Sequence, residues 1–283
     1  MKKLKKYQSE LVKWIGLIFV IIVFGLWSQW NLFSEYNINS MIETVTPLVI
    51  TCLGMSFVFA HGGMDISSGA VVALAALVAV MTMNKTGSIF LGMILAMMVS
   101  MGCYIINAIV TNKFGLMSTI TSLAIMFSAR GIVTYICQKT PNESISISNV
   151  DVTLFKKNHI FMIVMVILTI LVFGVIFNYT RLGKGARAIG DNEISARQNG
   201  VKIDKTKMMC YLIAGICVGI ASIYKLCATG MVQSTTGNGF EMDVLVVLVL
   251  GGMSLAGGMG TKISSAVIGS FTYVILIKGL TII

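Results

Sequence analysis

Long apolar runs separated by short polar segments cover almost the whole chain, and this alternation limits the fold more than any single motif does. Nine runs are long enough, or nearly long enough, to cross the ~30 Å hydrocarbon core of a bilayer as a helix. They lie at 14–30, 44–60, 67–83, 88–110, 117–137, 159–178, 208–228, 242–256 and 263–282. Only 11% of the residues are charged, against about 25% in an ordinary soluble domain. The sequence therefore predicts an all-α integral membrane protein, a polytopic helical bundle with one transmembrane domain over residues 1–283.

The basic residues set the expected orientation, because lysine and arginine are enriched in cytoplasmic segments. Four lysines lie within the first six residues and place the N-terminus in the cytoplasm. Alternation then places the polar segment 179–207 in the cytoplasm too, and its seven basic against three acidic residues agree. We divide the chain into N-terminal spans over 13–178, this cytoplasmic loop over 179–207 and C-terminal spans over 208–283, ending outside. The net charge of +10 is a topology signal and does not indicate nucleic-acid binding.

Two glycine-rich segments interrupt the apolar pattern, at 61–69 and at 251–260. Glycines favour breaks in a helix. Lipid cannot satisfy the free backbone groups of a broken helix, so such breaks occur where backbone lines a polar cavity or is buried in protein. We therefore expect short, broken helices at both segments.

Five residues within or beside the spans are candidates for a translocation pathway or gate: Asp65, Ser67, Arg130, Glu241 and Asp243. Ionisable groups inside a membrane are costly, which makes them functional candidates by default. A structural alternative stays open, since Asp65 suits the cap of the following helix and Glu241 and Asp243 suit a helix N-terminus. Arg130 lies at mid-span and needs a partner, so we expect it to contact Asp65 or Glu241.

The cytoplasmic loop contains a short predicted helix over 192–198. Asp191 or Asn192 would be its N-cap, and Gly200 would terminate it. Such a charged helix between two spans is either a solvated connector or a knob that docks in a groove of a cytoplasmic partner.

Three segments resemble motifs of one family, the permeases of the ribose, galactose and xylose class of ABC importers. Residues 63–74, GMDISSGAVVAL, resemble the GIDLSVGS-type motif of that family. Residues 181–201 contain RLGK, AIGDNE, AR and NGV, and look like its RLGR…A-GGNE-AAR-SGI segment, which contacts the ATPase in that family. Residues 237–261, with GNGFEMD and GGMSLAGGMGT, are similar to GxGYELDAIAA…GGTSLAGGKGT. Order and spacing agree from about residue 36 to residue 283.

The resemblance implies a permease subunit that moves a small polar solute, a simple sugar such as ribose, galactose or xylose, across the bacterial cytoplasmic membrane. Its implied partners are a cytoplasmic ATP-binding subunit, an extracytoplasmic solute-binding protein, a second permease subunit (identical or different) and membrane lipid. The residues implied for contact with the ATPase are Gly190, Asn192, Glu193, Ala196, Arg197 and Gly200. Because family members typically have about ten spans, the comparison also implies that the last family helix is missing here.

The sequence contains no catalytic constellation. It lacks the GxxxxGK[ST] motif of a P-loop, so ATP hydrolysis would belong to a separate ATPase. We expect a non-catalytic subunit with neither cofactor nor metal. Two other classes stay open, an ion-coupled secondary transporter, which needs carboxylates or histidines within the spans, and a truncated remnant that does not transport. Within the leading class, autoinducer-2, nucleosides and branched-chain amino acids are alternative solutes.

Overall fold

The structure, a computed structural model, describes residues 2–140, 142–148, 150–156 and 158–282, with side chains described from residue 13 onwards. The helices are α1 (Lys2–Trp27), α2 (Glu35–Ala60), α3 (Ser68–Thr86), α4 (Ile89–Phe114), α5 (Ser118–Gln138), α6 (Thr153–Lys156), α7 (His159–Tyr179), α8 (Arg181–Asp191), α9 (Glu193–Gln198), α10 (Ile203–Thr229), α11 (Phe240–Leu250) and α12 (Ile263–Ile282). One turn of 3-10 helix at Asn31–Phe33 separates α1 from α2. The strands are β1 (Ser144–Ser146) and β2 (Met231–Gln233).

Seven helices of the described chain are long and apolar enough to cross a membrane, namely α2, α3, α4, α5, α7, α10 and α12. They correspond to seven of the predicted spans, so the prediction of an all-α polytopic membrane protein is confirmed. The first predicted span is the apolar part of α1, Lys13–Trp27. The predicted span at 242–256 is wrong in length, since α11 has 11 residues and extends about 16 Å, roughly half of a hydrocarbon core.

The centre of the bundle is formed by α2, α3 and α10. Every residue of α2 from Val45 to Ala60 is buried, which is why this helix is apolar all round and has no polar face. Small residues allow close approach to α10: a Cβ added to Gly54 would lie 2.6 Å from Cys217 Cβ, and one added to Gly215 would lie 2.8 Å from Met101 Cα on α4. Lipid provides no hydrophobic driving force between helices, so close packing of this kind is what stabilises helix association in a membrane.

The outer helices α4, α5 and α7 bury one side only. They expose large apolar side chains along the other side, including Phe90, Phe127 and Leu171. A surface of this kind is stable against lipid tails and unstable against water. The fold therefore has the burial pattern of a protein whose perimeter faces lipid.

Both glycine-rich segments break a helix, as predicted, and the two breaks touch. α2 ends at Ala60 and α11 ends at Leu250. The Gly258 N–H donates to the Ala60 carbonyl at 3.0 Å. A Cβ on Gly257 would lie 2.6 Å from Gly62 N, so only glycine permits this approach. The free backbone groups are thus satisfied inside the protein.

α1 and α12 run side by side in the same direction. The Lys13 ammonium, midway along α1, donates to Ser265 Oγ in the first turn of α12 at 2.8 Å, and Gly279 near the end of α12 packs against Phe24 near the end of α1. Near the far end of α12, the Lys278 ammonium donates to Ser40 Oγ at 2.8 Å, beside the α1–α2 connection. On the same predicted outer side, β1 and β2 pair antiparallel.

Candidate coupling surface and membrane polar site

The polar segment 179–207, which we predict to be cytoplasmic, contains two helices, α8 and α9. The predicted short helix is confirmed as α9, and Asn192 is its N-cap because its Oδ1 accepts from the Ser195 N–H at 2.9 Å. Asp191 is the last residue of α8, and its Oδ1 accepts from the Met259 N–H at 2.9 Å. The two candidate caps therefore act differently: Asn192 starts α9, and Asp191 fastens α8 to the broken segment after α11.

Gly190 lies where α8 presses against both helix breaks. A Cβ on this residue would lie 2.2 Å from the Ala60 carbonyl oxygen and 2.4 Å from Gly258 N. Neither backbone atom can move away without breaking the hydrogen bond that joins the two breaks. α8, the end of α2 and the segment after α11 are therefore in direct backbone contact.

Glu193 links α9 to α10. Its carboxylate accepts from Lys207 Nζ at 2.8 Å and from Arg197 at 3.4 Å. The hydrogen bond from Lys207 is the main cause that holds the pKa of Glu193 below its ordinary value, with the charges of Lys207 and Arg197 adding to it. Since the folded-state pKa is lowered, the link is fully present above the ordinary value of 4.5 and is lost as the pH falls through the folded value.

The burial of Ala196 and the exposure of Ile194 on α9 differ from the sequence-based expectation. Ala196 is 4% exposed and packs with Ile189 and Ile203 on the inward side, so it seats the helix and does not face a partner. Ile194 is 73% exposed on the outward side. Sequence reasoning missed Ile194, although an isoleucine within a polar helix is the signal that could have revealed it.

Gly200 lies in the turn that follows α9. It has a φ of +80° and open space around it, so glycine is needed there for the backbone turn and not for close packing. Arg197, one helical turn after Glu193, keeps 69% of its side chain exposed. Its guanidinium is accessible to a cytoplasmic partner.

A second polar site lies inside the bundle, between α5 and the start of α11. One terminal nitrogen of Arg130 donates to both carboxylate oxygens of Glu241, at 2.9 and 3.1 Å, and to the Gly237 carbonyl at 3.2 Å. The other terminal nitrogen donates to Asn238 Oδ1. Of the two partners expected for Arg130, Glu241 is confirmed. The ion pair joins a full span to a half-length helix.

The same site is closed on its other side by α3. A Cβ on Gly69 would lie 2.0 Å from Glu241 Oε2 and 2.4 Å from the Gly237 carbonyl oxygen. The Glu241 carboxylate is therefore wedged between Arg130 and the first turn of α3. Glu241 is 8% exposed, and a carboxylate in such a place needs its cation.

Asp65 and Ser67 form a separate cluster before α3. The Asp65 carboxylate accepts from the backbone N–H of Ser67 at 2.9 Å, from Asn107 Nδ2 at 3.1 Å and from the Tyr104 hydroxyl at 3.4 Å. All four residues are buried. Through these contacts, Asp65 joins the turn before α3 to two side chains of α4. The N-cap residue of α3 is Ser67 and not Asp65, and a place of Asp65 in the pathway stays a prediction.

Asp243 is the last of the five candidates. It lies one turn into α11 and accepts from the Tyr273 hydroxyl on α12. The structure thus distributes the five residues over three places: Asp65 with Ser67, Arg130 with Glu241, and Asp243 beside Tyr273. The described residues contain no group of three or more His, Cys, Asp or Glu side chains that could hold a metal ion.

An apolar cleft of about 440 Å³ opens between α3, α4 and α5. Ser128, Ala129 and Ile132 line it on α5, directly next to Arg130 in the chain. The cleft has hydroxyl groups at Thr121 and Ser128 and otherwise almost only aliphatic walls. The cleft therefore offers few polar contacts to a ligand.

The described residues form a bundle of spanning helices with two interior breaks and a short helix, α9, next to them, as expected for a membrane transport subunit. Residues 37–283 match the family described as branched-chain amino acid transport system / permease component. The chain belongs to this family of permease components.

Curated relatives cover nearly the whole chain. The ribose import permease protein RbsC of Escherichia coli K12 is 26% identical over 99% of this chain and 88% of its own length. The fructose import permease protein FruG of Bifidobacterium longum is 29% identical over 97% of this chain and 85% of its own. The L-arabinose transport system permease protein AraH of E. coli K12 is 30% identical over 84% and 73%. No solved structure matches the chain significantly.

Proposed function

We propose that this chain is the membrane-spanning permease subunit of an ATP-driven importer that moves a simple sugar across the bacterial cytoplasmic membrane. The observation that carries the proposal is the backbone contact between Gly190 and the two helix breaks, at Ala60 and Gly258. Through this contact, a force applied to α9 from the cytoplasm reaches the interior of the bundle without passing through a flexible loop.

The outward side of α9 together with Gly200, here called the coupling surface, would bind a separate ATP-binding subunit. Ile194 and Arg197 face outward, while Asn192 caps the helix and Gly200 ends it. An exposed isoleucine flanked by charged groups is typical of an anchor residue that fills a pocket in a partner. The chain itself would contribute no chemistry and would convert the closure of the ATPase into movement of α8 against α2 and α11.

The pathway would run beside α5, at the level of the Arg130–Glu241 pair. A second permease subunit would close the apolar cleft of α3, α4 and α5, and the solute would arrive from an extracytoplasmic binding protein. Because Arg130 and Glu241 bridge α5 and α11, they would act as a gate residue pair whose separation accompanies the change between outward-facing and inward-facing states.

The carboxylates argue against the ion-coupled alternative. Such a transporter needs intramembrane carboxylates that exchange protons or cations. Here Glu241 is paired with Arg130, Asp65 is surrounded by donors, and Asp243 accepts from Tyr273. Each of these groups already has a partner that a coupling ion would have to displace.

Three relatives are named for ribose, fructose and L-arabinose, which supports a monosaccharide as solute. We expect proteoliposomes containing the chain, its ATPase and its binding protein to accumulate a labelled monosaccharide when ATP is supplied on the α9 side. The panel should include pentoses, hexoses, leucine, adenosine and autoinducer-2. Accumulation of leucine, adenosine or autoinducer-2 without accumulation of any sugar would show that the proposed solute class is wrong. The proposal that the chain is an importer permease would then still hold.

Charge reversal at Glu193 tests the coupling surface. Glu193→Lys places a cation beside Lys207 and Arg197 and in the first turn of α9, where the helix dipole disfavours it by about 0.3–1 kcal/mol. An exposed ion pair contributes about 0.2–1 kcal/mol, so the thermal melt in detergent should shift only slightly. Co-purification with the ATPase should fall severalfold or more. Glu193→Gln, which removes the charge without reversing it, is the matched control and should retain most of the complex.

A further inference from the structure

A basic groove of about 750 Å³ lies between α8 and the start of α10, at the cytoplasmic end of the bundle. Arg181 and Lys184 line it from α8, Lys202 lines it at the N-cap of α10, and Lys205 lines it from the first turn of α10. We propose that this groove binds the phosphate headgroup of an anionic phospholipid of the cytoplasmic leaflet. The proposal does not depend on which solute the chain moves.

The four cations of the groove have no anionic partner among the described residues. The other basic residues of the same loop are engaged: Lys207 and Arg197 pair with Glu193, and Arg187 donates to the Gly183 carbonyl at 3.2 Å. An excess of cytoplasmic lysine and arginine is expected from topology alone. Topology does not explain why four unpaired cations from two separate stretches line one cleft.

The floor of the groove is apolar, and this selects between phosphate-bearing ligands. Leu182, Val201 and Met209 lie under the basic rim. Met209 is 40% exposed on the second turn of α10, so the floor continues toward the outward surface of that helix. A free phosphate ion would gain nothing from these side chains, whereas a lipid places its phosphate on the rim and its glycerol and first methylenes on the floor.

The depth of the groove also fits a headgroup. Tyr179 ends α7 with 77% of its surface exposed, and Arg181 follows two residues later as the first residue of α8. Exposed tyrosines mark the level at which headgroups meet hydrocarbon. Basic pockets between helices at the cytoplasmic level bind anionic headgroups in membrane proteins.

The test is lipid retention by the purified full chain, measured by native mass spectrometry after equilibration with equal amounts of phosphatidylglycerol and phosphatidylcholine. We expect the parent to retain phosphatidylglycerol preferentially, and Lys184→Gln/Lys205→Gln to weaken that retention about thirtyfold, as loss of two cations near the surface should. Lys184→Arg/Lys205→Arg should retain it. Lys85→Gln/Lys113→Gln removes the same charge from two exposed lysines outside the groove and should change retention less than twofold.

Four outcomes would overturn the proposal. The first is equal retention of both lipids by the parent. The second is an unchanged preference in the groove variant although it melts like the parent. In the third, inorganic phosphate at the lipid concentration displaces the lipid, which would make the groove a site for the free ion. Loss of ATPase co-purification in the groove variant with lipid retention intact would likewise reject the lipid and assign the groove to a protein contact.

Discussion

Arg130→Ala should be the most destabilising single substitution among the polar residues of the bundle. It leaves the Glu241 carboxylate, which is 8% exposed, beside the first turn of α3 without a cation. Breaking a buried ion pair from one side typically costs 3–5 kcal/mol. The Arg130 side chain retains 21% exposure, so we expect about 3 kcal/mol, measured as a clearly lower melting temperature in detergent.

The controls separate charge from packing. Arg130→Lys keeps a cation within reach of Glu241 and should retain part of the stability. Arg130→Ala/Glu241→Gln removes the orphaned charge and should recover part of the loss, because the two effects are coupled and not additive. Arg181→Ala removes an exposed arginine that has no ion pair with any described residue, and this variant should melt like the parent. If Arg130→Ala also melts like the parent, the Arg130–Glu241 ion pair does not contribute to the stability of the fold.

Ile194→Asp should separate the chain from its ATPase while leaving its fold intact. The side chain is 73% exposed on α9, so the substitution buries no charge within the chain. Truncation of an anchor residue typically costs at least 2 kcal/mol of binding, and an added carboxylate opposes the same pocket. We expect at least about thirtyfold weaker binding of the ATPase and a matching loss of uptake. Ile194→Leu should bind nearly as well as the parent.

Ala196→Asp provides the contrast on the same helix. Ala196 packs on Ile189 and Ile203, so a carboxylate there should lift α9 off the bundle. Trypsin should then cleave after Arg197 much faster than in the parent, whereas Ile194→Asp should leave the cleavage rate unchanged. If Ile194→Asp pulls down the ATPase as well as the parent does, α9 is only a connector and the coupling assignment fails.

Local rules predicted the features that depend on local sequence. The cap at Asn192 and the turn at Gly200 follow from side-chain chemistry within one helical turn. The partner of Arg130 was narrowed to two carboxylates because a mid-span cation requires one. The seven long spans follow from hydropathy, since lipid leaves helices as the only stable form for such runs.

The features that could not be predicted from the sequence depend on contacts between residues that are distant in the chain. Ala60 and Gly258 meet although almost 200 residues separate them, and nothing local indicates that meeting. The inward face of α9 is set by Ile189 and Ile203, and six residues are too few to show a helical period. The apolar composition continues past Leu250, so hydropathy extended α11 beyond the point where the positive φ of Gly252 ends it.

Transport driven by ATP through α9 should need ATP and no ion gradient. Uptake of the accumulated sugar should be followed in proteoliposomes with ATP on the α9 side, in the presence of ionophores that abolish proton and sodium gradients. We expect uptake that persists with ionophores, stops without ATP and is lost in Ile194→Asp. Uptake that continues without ATP under an imposed ion gradient, and that Ile194→Asp leaves intact, would contradict this expectation.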